Sequence, residues 1–458
     1  MRKLIGTKDF YRHLLMIAIP IMIQNGITNF VGMLDNIMVG QVGTNQMSGV
    51  AIVNQLLFVY NLCIFGGISG AGIFAAQFYG KGDHKGVREC FRFKLIIVAV
   101  LTLLGILTFV VAGPSLIQLY LHEDGSGTSS AQTLLYAKQY MTVMLFDMLP
   151  FAISQAYAGT LRETDETVLP MKAGIAAVLV NLVFNYILIY GKFGAPALGV
   201  VGAAIATVMS RFVEMGIIVI WTHTHKEKNR FIEDAYKHFE IPAELMKRMT
   251  IKGLPLLANE TLWAAGQAVM MQNYSIRGLT VIAAMNISST ISNVFNIVFI
   301  AMGSAIAILI GQELGAEKKE VREDAYKMTF FAVICCMISG ALMLCVAPFF
   351  PDIYNTDHEV RSLATSFIMI SACCMPMYAF ENATYFTLRS GGKTFITFLF
   401  DSCFVWVFSI PLAYVLVHYT DMPITVLFLC CQMIELMKCL IGYVLVRKGI
   451  WINNITNA

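Results

Sequence analysis

Long apolar runs repeat along almost the whole chain, and they limit the folds that it can adopt. We count twelve such runs, each long enough to cross a lipid bilayer as one helix. Hydrophobic residues make up 57% of the 458 residues and charged residues only 13%, which is too little polar surface for a soluble globular protein. The sequence therefore predicts an all-α polytopic membrane protein. The predicted spans cover residues 14–39, 47–79, 95–119, 132–160, 168–190, 197–222, 249–277, 281–314, 325–350, 360–388, 394–418 and 421–446.

The basic residues predict how the helices are oriented. Residues 1–13 carry four of them but run directly into a full-length span without a small-residue cleavage site, so they do not resemble a signal peptide. With both termini in the cytoplasm, 26 of the 32 Lys and Arg residues fall in inner loops and tails or at the inner ends of spans, which is the usual bias of membrane proteins. We expect a multi-pass protein of the cell inner (plasma) membrane with cytoplasmic termini.

Net charge and cysteine content indicate no other class of protein. The net charge of +3 follows from the basic inner loops, so we expect the lipid bilayer and not nucleic acid as a partner. Nearly all of the eleven cysteines lie within predicted spans, where they suit packing better than disulfides. No His or Cys cluster has the spacing of metal ligands, and we expect neither a resident metal nor a cofactor.

The two halves of the chain follow one plan. At an offset of 235, Pro20 pairs with Pro255, and residues 77–80 (QFYG) pair with residues 312–315 (QELG). An even number of helices in each repeat places both halves the same way up in the membrane. We predict an N-lobe of helices 1–6 (1–222), a cytoplasmic linker (223–248), and a C-lobe of helices 7–12 with a short cytoplasmic tail (249–458). The polar linker is expected to be a solvated connector.

An acidic residue, Asp35, lies deep in the first apolar run. A charged side chain at the bilayer centre costs about 2.5–3.5 kcal/mol on insertion scales, so it normally faces a cavity or a partner. The alternative is that the helix ends at Asp35, at the outer interface. Residues 36–39 continue the run, which favours the cavity.

Three polar residues of other predicted helices lie at a similar depth. Asn181 and Asn185 share one face of helix 5 because they are four residues apart, and Thr207 lies about 15 Å along helix 6 from its outer end. With Asp35 they form an oxygen-rich set that suits a proton or a small alkali cation better than zinc or copper. The same residues could instead only join helices by hydrogen bonds.

Acids also occur within the second half. Glu260 lies near the middle of helix 7 and Asp401 lies in helix 11. Neither has a basic residue beside it in the sequence, so we expect both to line a cavity. Glu381 and Asp147 are weaker candidates of the same kind.

Two spacings predict ion pairs. Arg211 with Glu214, and Glu435 with Lys438, are three residues apart on the last helix of each lobe. Such neighbours meet on a helix surface, and a neutralised pair is tolerated in apolar surroundings.

Over essentially its whole length the chain resembles the multidrug and toxic compound extrusion (MATE) transporters. The resemblance depends on six segments in the right order and at matching spacing, each of them weak alone. They are MLDNIMVGQVG (33–43), GAGIFAAQFYGKGD (70–83), LVNLVFNYILIYGKFGAPALGVVGAAIAT (179–207, with VNLVFNYILIYG as its core), KGLPLLANETLW (252–263), GSAIAILIGQELGA (303–316) and LRSGGKT (388–394).

The resemblance implies a V-shaped pair of six-helix lobes that alternates between outward and inward access. Such antiporters export cationic or lipophilic organic compounds in exchange for inward Na⁺ or H⁺. It also implies that Asp35, Asn181, Asn185 and Thr207 form the N-lobe cation site, where any Na⁺ would bind, and that helix 1 bends at the hinge residue Pro20.

For the C-lobe, the resemblance implies a coupling role for Glu260. The chain departs from the pattern in helix 10, because the aspartate of some members aligns near Tyr378, with Glu381 three residues further on. Asp401 before Trp406 resembles another subset of the family.

Other classes fit less well. A lipid-linked oligosaccharide or polysaccharide flippase of the same superfamily would need basic residues in its cavity, but only Arg211 and Lys438 lie more than six residues from both ends of a predicted span, and both have acidic neighbours. An intramembrane enzyme would show clustered catalytic groups, whereas the eight His lie largely in loops and tails. We therefore predict a monomeric transporter of small organic cations and not an enzyme. The residues do not distinguish Na⁺ from H⁺.

Overall fold

A computed structural model describes residues 4–121, 130–237, 239–354 and 356–457. Within these ranges the long elements are all helices, and no strand occurs. The predicted all-α class is therefore confirmed, and each predicted span corresponds to one helix. The helices are α1 Lys8–Gly40, α2 Thr44–Lys81, α3 His84–Gln118, α4 Ser130–Glu163, α5 Val168–Tyr190, α6 Val200–Thr224, α7 Ala243–Ser275, α8 Leu279–Gly315, α9 Val321–Val346, α10 His358–Ser390, α11 Thr394–Tyr419 and α12 Ile424–Lys448.

Eleven of these helices are long and apolar enough to cross a membrane. The twelfth, α7, has a lower hydropathy because polar residues interrupt its apolar sequence. Asn259 and Glu260 lie near its middle, and three amide side chains follow, Gln267, Gln272 and Asn273. A helix with this many polar groups needs partners inside the protein, since lipid offers none.

The chain divides into two compact units, each with its own core. The N-terminal unit contains Ile23–Ala75 and Asp83–Thr250, and the C-terminal unit contains Met1–Met22, Ala76–Gly82 and Ile251–Ala458. Helices α1, α2 and α7 each contribute residues to both units, and the boundary in α1 falls two residues after Pro20. The domain boundaries expected from the sequence stay a prediction.

The core of the N-terminal unit lies mainly among α2, α3, α4 and α6. One of its tyrosines, Tyr60, is buried and shares a hydrogen bond of 2.7 Å with Thr102 on α3. The same hydroxyl donates to the carbonyl of Met148 on α4 at 2.9 Å. Tyr60 thereby satisfies its polar end within the apolar core, as a buried tyrosine must.

The linker differs from the solvated connector that its polar sequence predicts. Phe231 is buried against Phe91 on α3, with ring centroids 5.4 Å apart. The guanidinium of Arg92, also on α3, donates to four linker carbonyls, those of Asp234, Ala235, Lys237 and Glu240, at 2.7–3.0 Å. Arginine can serve this many acceptors because its planar group carries five N–H donors. These contacts involve the part of α3 that precedes its predicted apolar run.

In the C-terminal unit, the repeated segments QFYG and QELG meet each other. Gly80 lies against the main chain of Gln312, and Gly315 lies against the main chain of Gln77, so closely that a Cβ atom on either glycine would overlap a carbonyl group. The two contacts are equivalent under the offset of 235. The internal repeat of the sequence is therefore a reciprocal helix contact in the fold.

The end of the chain packs beside this contact. Trp451 is fully buried, and the side chain of Gln77 donates to the carbonyls of Ser390 at 2.9 Å and Asn453 at 3.2 Å. The amide oxygen of Gln77 accepts from the main-chain N–H of Ile455 at 2.8 Å. One glutamine of the repeat thus holds the C-terminal residues against α10.

We predict that Gly80→Ala destabilises the protein by about 1–3 kcal/mol, the usual cost of forcing an extra carbon into a packed interior. The added methyl meets the Gln312 main chain and not a flexible side chain, so the helices must separate. The measurement is thermal unfolding of the purified protein in detergent.

The matched control is Gly216→Ala on α6, where nothing lies within 4 Å of the position that the added methyl would occupy. Because alanine favours the helix by about 1 kcal/mol over glycine, this variant should unfold at the same or a higher temperature. Equal melting temperatures for Gly80→Ala and the wild type would contradict the tight contact.

Candidate functional site

The four residues that the sequence predicts as a cation site lie together in the N-terminal unit. The side-chain nitrogen of Asn185 donates to Oδ1 of Asp35 at 2.6 Å and to Oδ1 of Asn181 at 3.0 Å. The side-chain nitrogen of Asn181 in turn lies 3.3 Å from the hydroxyl of Thr207. We call these four residues the Asp35 cluster.

Local packing brings α5 and α6 close enough for this contact. Gly202 on α6 lies against the carbonyl oxygen of Leu188 on α5, where a Cβ atom would approach to 2.5 Å. Thr207, a little over one turn further on, donates its hydroxyl to the carbonyl of Ala203 in its own helix at 3.0 Å. The lone pairs of the hydroxyl oxygen therefore remain available toward α5.

The amide of Asn181 fits the cluster in two orientations. In one, its oxygen accepts from Asn185 and lies beside the Asp35 carboxylate. In the other, its nitrogen lies 2.9 Å and 3.3 Å from the two carboxylate oxygens of Asp35 and 3.0 Å from the side-chain nitrogen of Asn185. Its oxygen then lies 3.3 Å from the hydroxyl of Thr207, which must donate to it and not to Ala203. The second orientation suits an ionised carboxylate, because it supplies two more N–H contacts. The first places two oxygens side by side, which requires a proton or a cation between them.

The cluster is enclosed by protein but not sealed. Asn181 is 4% exposed and Asn185 is 1% exposed, whereas Asp35 and Thr207 are half-buried. Oδ1 of Asn185 is buried and has no hydrogen-bond partner in the part of the chain that the structure describes. A buried carbonyl oxygen without a donor is costly, and it adds an unused oxygen to the set.

A second charged group follows on α6. Nη1 of Arg211 lies 2.8 Å from Oε2 of Glu214, so the first predicted ion pair is confirmed. The Nε atom of the same arginine lies 3.7 Å from Oδ1 of Asp147 on α4. Asp147 therefore has a basic neighbour, and its role as a cavity acid stays a prediction.

In the C-terminal unit, Asp401 has a basic partner that its sequence neighbours do not reveal. Nζ of Lys438 on α12 lies 2.9 Å from Oδ1 of Asp401, so the expectation of an unpaired acid is wrong on this point. Lys438 is also 3.6 Å from Glu435, which makes the predicted pair the longer of its two contacts. Asp401 remains a candidate site residue by prediction.

Helix α11 is irregular where Asp401 lies. Residues Leu399–Cys403 and Val405–Ser409 each form π-helical turns, which often occur at functional sites. The nitrogen of Asn259 on α7 donates to Oδ2 of Asp401 at 3.0 Å, and the hydroxyl of Ser402 donates to the side-chain oxygen of Asn259 at 2.7 Å. Asn259 therefore fixes the carboxylate against α7.

The remaining predicted site residues lie near these groups. Glu260 follows Asn259, is half-buried, and has Arg389 and Asp401 as its charged neighbours. Glu381 on α10 is 9% exposed. The predicted site residues thus belong to two groups, one in each unit.

The two repeats can also be compared with known protein families. A model of the MatE family matches residues 20–187 and 255–415, which together make up more than half of the chain; residues 188–254, which contain α6 and the linker, lie outside the match. The chain belongs to the MatE family. The resemblance inferred from the six segments is therefore confirmed.

Curated relatives of this MatE-family protein match nearly their full length. A probable multidrug resistance protein NorM of Thermotoga maritima is 24% identical over 416 residues, which cover 90% of this chain and 86% of the relative. The multidrug resistance protein MdtK of Photorhabdus laumondii is 23% identical over 411 residues, covering 88% and 87%.

A solved structure has the same fold. It is described as the outward-facing conformation of a multidrug resistance MATE family transporter of the MOP superfamily, and it matches with a TM-score of 0.85 at 18% identity. The match covers 98% of this chain and 97% of that one. The MATE fold expected from the sequence is therefore confirmed, and this membrane protein belongs to a family of transporters.

Sequence reasoning on this MatE-family protein missed two residues of the polar group in the C-terminal unit, Asn259 and Lys438. Asn259 stands beside Glu260 in the sequence, but nothing in the pattern shows that it binds Asp401. Spacing alone pairs Lys438 with Glu435. The closer partner of Lys438 is 37 residues away, and only the packing of α11 against α12 brings the two together.

We predict that Lys438→Met destabilises the protein by up to about 3–5 kcal/mol, because it leaves the half-buried carboxylate of Asp401 without its partner. The double variant Lys438→Met/Asp401→Asn should recover part of this loss. Thermal unfolding in detergent of the wild type, the two single variants and the double variant measures the coupling energy of the pair.

Additive effects of the two substitutions would contradict a direct ion pair. Lys318, which is partly exposed and lies between α8 and α9, offers a comparison. Lys318 also pairs with the buried Asp324, which keeps a second ammonium group, that of Lys327 at 2.8 Å, so Lys318→Met should have a smaller effect.

Proposed function

We propose that this protein is a secondary active antiporter that exports cationic or lipophilic organic compounds in exchange for inward Na⁺ or H⁺. The observation that carries the proposal is the Asp35 cluster, a carboxylate surrounded by amide and hydroxyl groups within a bundle of apolar helices. The names of the NorM and MdtK relatives support multidrug efflux. We further propose a monomer in the cell inner membrane with cytoplasmic termini and no cofactor.

The two orientations of the Asn181 amide provide a way to sense the ion. With Asp35 ionised, the amide nitrogen faces the carboxylate. With a proton on Asp35, the acid can donate to the amide oxygen instead. A Na⁺ ion would be held by the same oxygens, those of Asp35 and Asn181 with Oδ1 of Asn185, and this all-oxygen set fits a hard cation. Ion binding therefore changes which hydrogen bonds join α1 to α5.

Helix α1 can transmit this change along its length. It carries Asp35 near its C-terminal end and Pro20 in its N-terminal half. Proline removes one hydrogen bond of the helix and favours a bend. Since α1 passes from one compact unit to the other just after Pro20, we propose this residue as the hinge. Coupling then needs only that the ion and the substrate bind with different affinities to the two access states.

In the second half, we propose Glu260 as a further coupling residue, since it lies within the polar part of α7. Asp401, Glu381 and Asp147 are additional candidate cavity acids. A flippase for pyrophosphate-linked sugars is less well supported, because the guanidinium of Arg211 and the ammonium of Lys438 are each bound to a carboxylate at 2.8–2.9 Å.

We predict that Asp35→Asn lowers ion-driven efflux from proteoliposomes by at least about tenfold, since an amide cannot change its charge when the ion binds. A sodium gradient and a pH gradient are each imposed alone, and the one that drives efflux in the wild type identifies the coupling ion. Asp9→Asn is the control, because it makes the same chemical change at an exposed position in the first turn of α1. Unchanged efflux by Asp35→Asn would exclude Asp35 as the coupling residue.

We predict a milder effect for Thr207→Val, which keeps the shape of the side chain but removes one oxygen from the cluster. The concentration of coupling ion needed for half-maximal efflux should rise about tenfold, the equivalent of about 1.4 kcal/mol, while the maximal rate changes less. Thr108→Val on α3 is the control, since its exposed hydroxyl donates only to Leu104 of its own helix, at 2.8 Å. Equal ion dependence of the two variants would place Thr207 outside the site.

A further inference from the structure

Two clefts adjoin on the surface of the C-terminal unit. The first has a volume of about 250 Å³ and lies between the first half of α7 and the turn that joins α10 to α11. The second has a volume of about 230 Å³ and lies between α11 and α12. Ile396, near the start of α11, lines both of them. We call the first the basic cleft and the second the apolar groove.

The basic cleft contains two positive charges. Lys252 of α7 and Lys393, the residue just before α11, line it, and none of its other lining residues is acidic. The side chain of Lys252 passes beside Gly392, with its Cε atom 3.8 Å from the place that a Cβ atom on the glycine would occupy. Gly392 has a φ of 71°, a conformation that favours glycine. The turn between α10 and α11 thus brings the two lysines to one cleft.

Both lysines lie where the apolar part of a helix begins. Lys393 directly precedes α11, which is long and apolar enough to cross a membrane, and Lys252 lies near the start of the apolar run of α7. Lysines in such positions extend their ammonium groups into the layer of lipid head groups. Ile251 and Phe395, which line the same cleft, are exposed. The basic cleft therefore opens onto a surface that lipid can reach.

The apolar groove continues from the basic cleft along α11. Its α11 wall extends from Ile396 to Phe408, a distance of about 18 Å at the α-helical rise, and Ile441 and Leu445 of α12 form the other wall. All of its lining side chains are Ile, Leu, Val, Phe or Cys. The hydrocarbon core of a bilayer is about 30 Å thick, so the groove is about as long as one lipid leaflet is deep. The π-helical turns of α11 form part of this wall.

An anionic phospholipid fits the two features together better than other occupants do. The two lysines repel an organic cation. A soluble anion would use the basic cleft and leave the apolar groove without a role. A phosphatidylcholine carries its own positive charge beside the phosphate, so the lysines favour it less. Lys448 adds a further positive charge at the same end of the groove, since it lies three residues after Leu445 and so on the same face of α12.

We propose that this surface binds one anionic phospholipid, with its phosphate between Lys252 and Lys393 and one acyl chain in the apolar groove. The inference goes beyond the proposed function and does not depend on it. Lipid chains surround every helix in a membrane, so the groove alone selects no lipid. The lysines select the negative head group, because each basic residue near the membrane surface strengthens the binding of anionic lipid. The bound lipid joins α7 to α11 and α12.

Native mass spectrometry of the whole protein, purified in detergent, tests the choice of lipid. Dioleoyl phosphatidylglycerol and dioleoyl phosphatidylcholine have the same chains and differ in head-group charge, and each is titrated separately. We expect the wild type to bind the phosphatidylglycerol at least about tenfold more tightly, as two lysines at the head group should provide. Lys252→Gln/Lys393→Gln should lose this preference.

The control is Lys138→Gln/Lys192→Gln, which makes the same change of net charge at two exposed lysines of the N-terminal unit and should keep the preference. Equal binding of the two lipids by the wild type would overturn the proposal, and so would a preference that survives in Lys252→Gln/Lys393→Gln. Should that double variant fail to fold, the single variants Lys252→Gln and Lys393→Gln must each lower the preference severalfold.

A second variant tests the position of the acyl chain. Leu399 lines the apolar groove and is exposed, so Leu399→Trp should fill the groove and weaken the binding of phosphatidylglycerol. Leu107→Trp on α3, at another exposed leucine, is the control and should bind as the wild type does. Unchanged binding by Leu399→Trp would exclude the groove. Displacement of the phosphatidylglycerol by inorganic phosphate would identify a site for soluble anions and contradict the proposal.

Thermal unfolding in the same detergent provides a separate readout. A ligand that binds only the folded protein raises the melting temperature, so phosphatidylglycerol should stabilise the wild type and the Lys138→Gln/Lys192→Gln control. It should not stabilise Lys252→Gln/Lys393→Gln, and equal stabilisation of this variant would contradict the site. These measurements need no ion gradient and no substrate, so failure of Asp35→Asn to alter efflux would leave the lipid site intact.

Discussion

Polar groups inside these helices have almost no water or lipid head groups to bind, so they must find their partners on other helices. This constraint accounts for most of the specific contacts in the fold. Asn185 reaches Asp35 from α5, Lys438 reaches Asp401 from α12, and Tyr60 joins α2 to both α3 and α4. Apolar surfaces alone would let such helices slide and rotate against one another, because lipid tails are as apolar as leucine. The polar contacts select one arrangement.

The two halves meet the constraint in different ways. In the first half, the Asp35 carboxylate is surrounded by neutral amides and a hydroxyl, and its nearest base, Arg211, is bound to Glu214. In the second half, the acid on α11 is neutralised by Lys438 within the same unit. A duplicated architecture thus carries one acid that is hydrogen-bonded by neutral side chains and another that has an internal countercharge.

Much of the fold follows from the sequence, because each helix is specified by its own apolar run. The Asp35 cluster also follows from it, since Asn181 and Asn185 are one turn apart and depth along a helix can be counted. The Lys438–Asp401 pair does not, because it depends on how α11 and α12 rotate about their axes. The π-helical turns around Asp401 change that rotation, and no local pattern of residues indicates them. The docked linker is also missed, because Arg92 lies outside every apolar run and its acceptors are main-chain carbonyls.

The reciprocal contact of Gly80 with Gln312 and of Gly315 with Gln77 has the geometry of an isologous interface, in which one surface is complementary to itself. In a symmetric dimer of two separate chains, every substitution in such a surface would occur twice. Fusion of the halves into one chain removes that restriction. Phe78 is buried, whereas the equivalent position of the second copy holds Glu313, which pairs with Lys318 at 2.7 Å. A single chain can therefore keep the glycines that both copies need and still give each side of the contact its own chemistry.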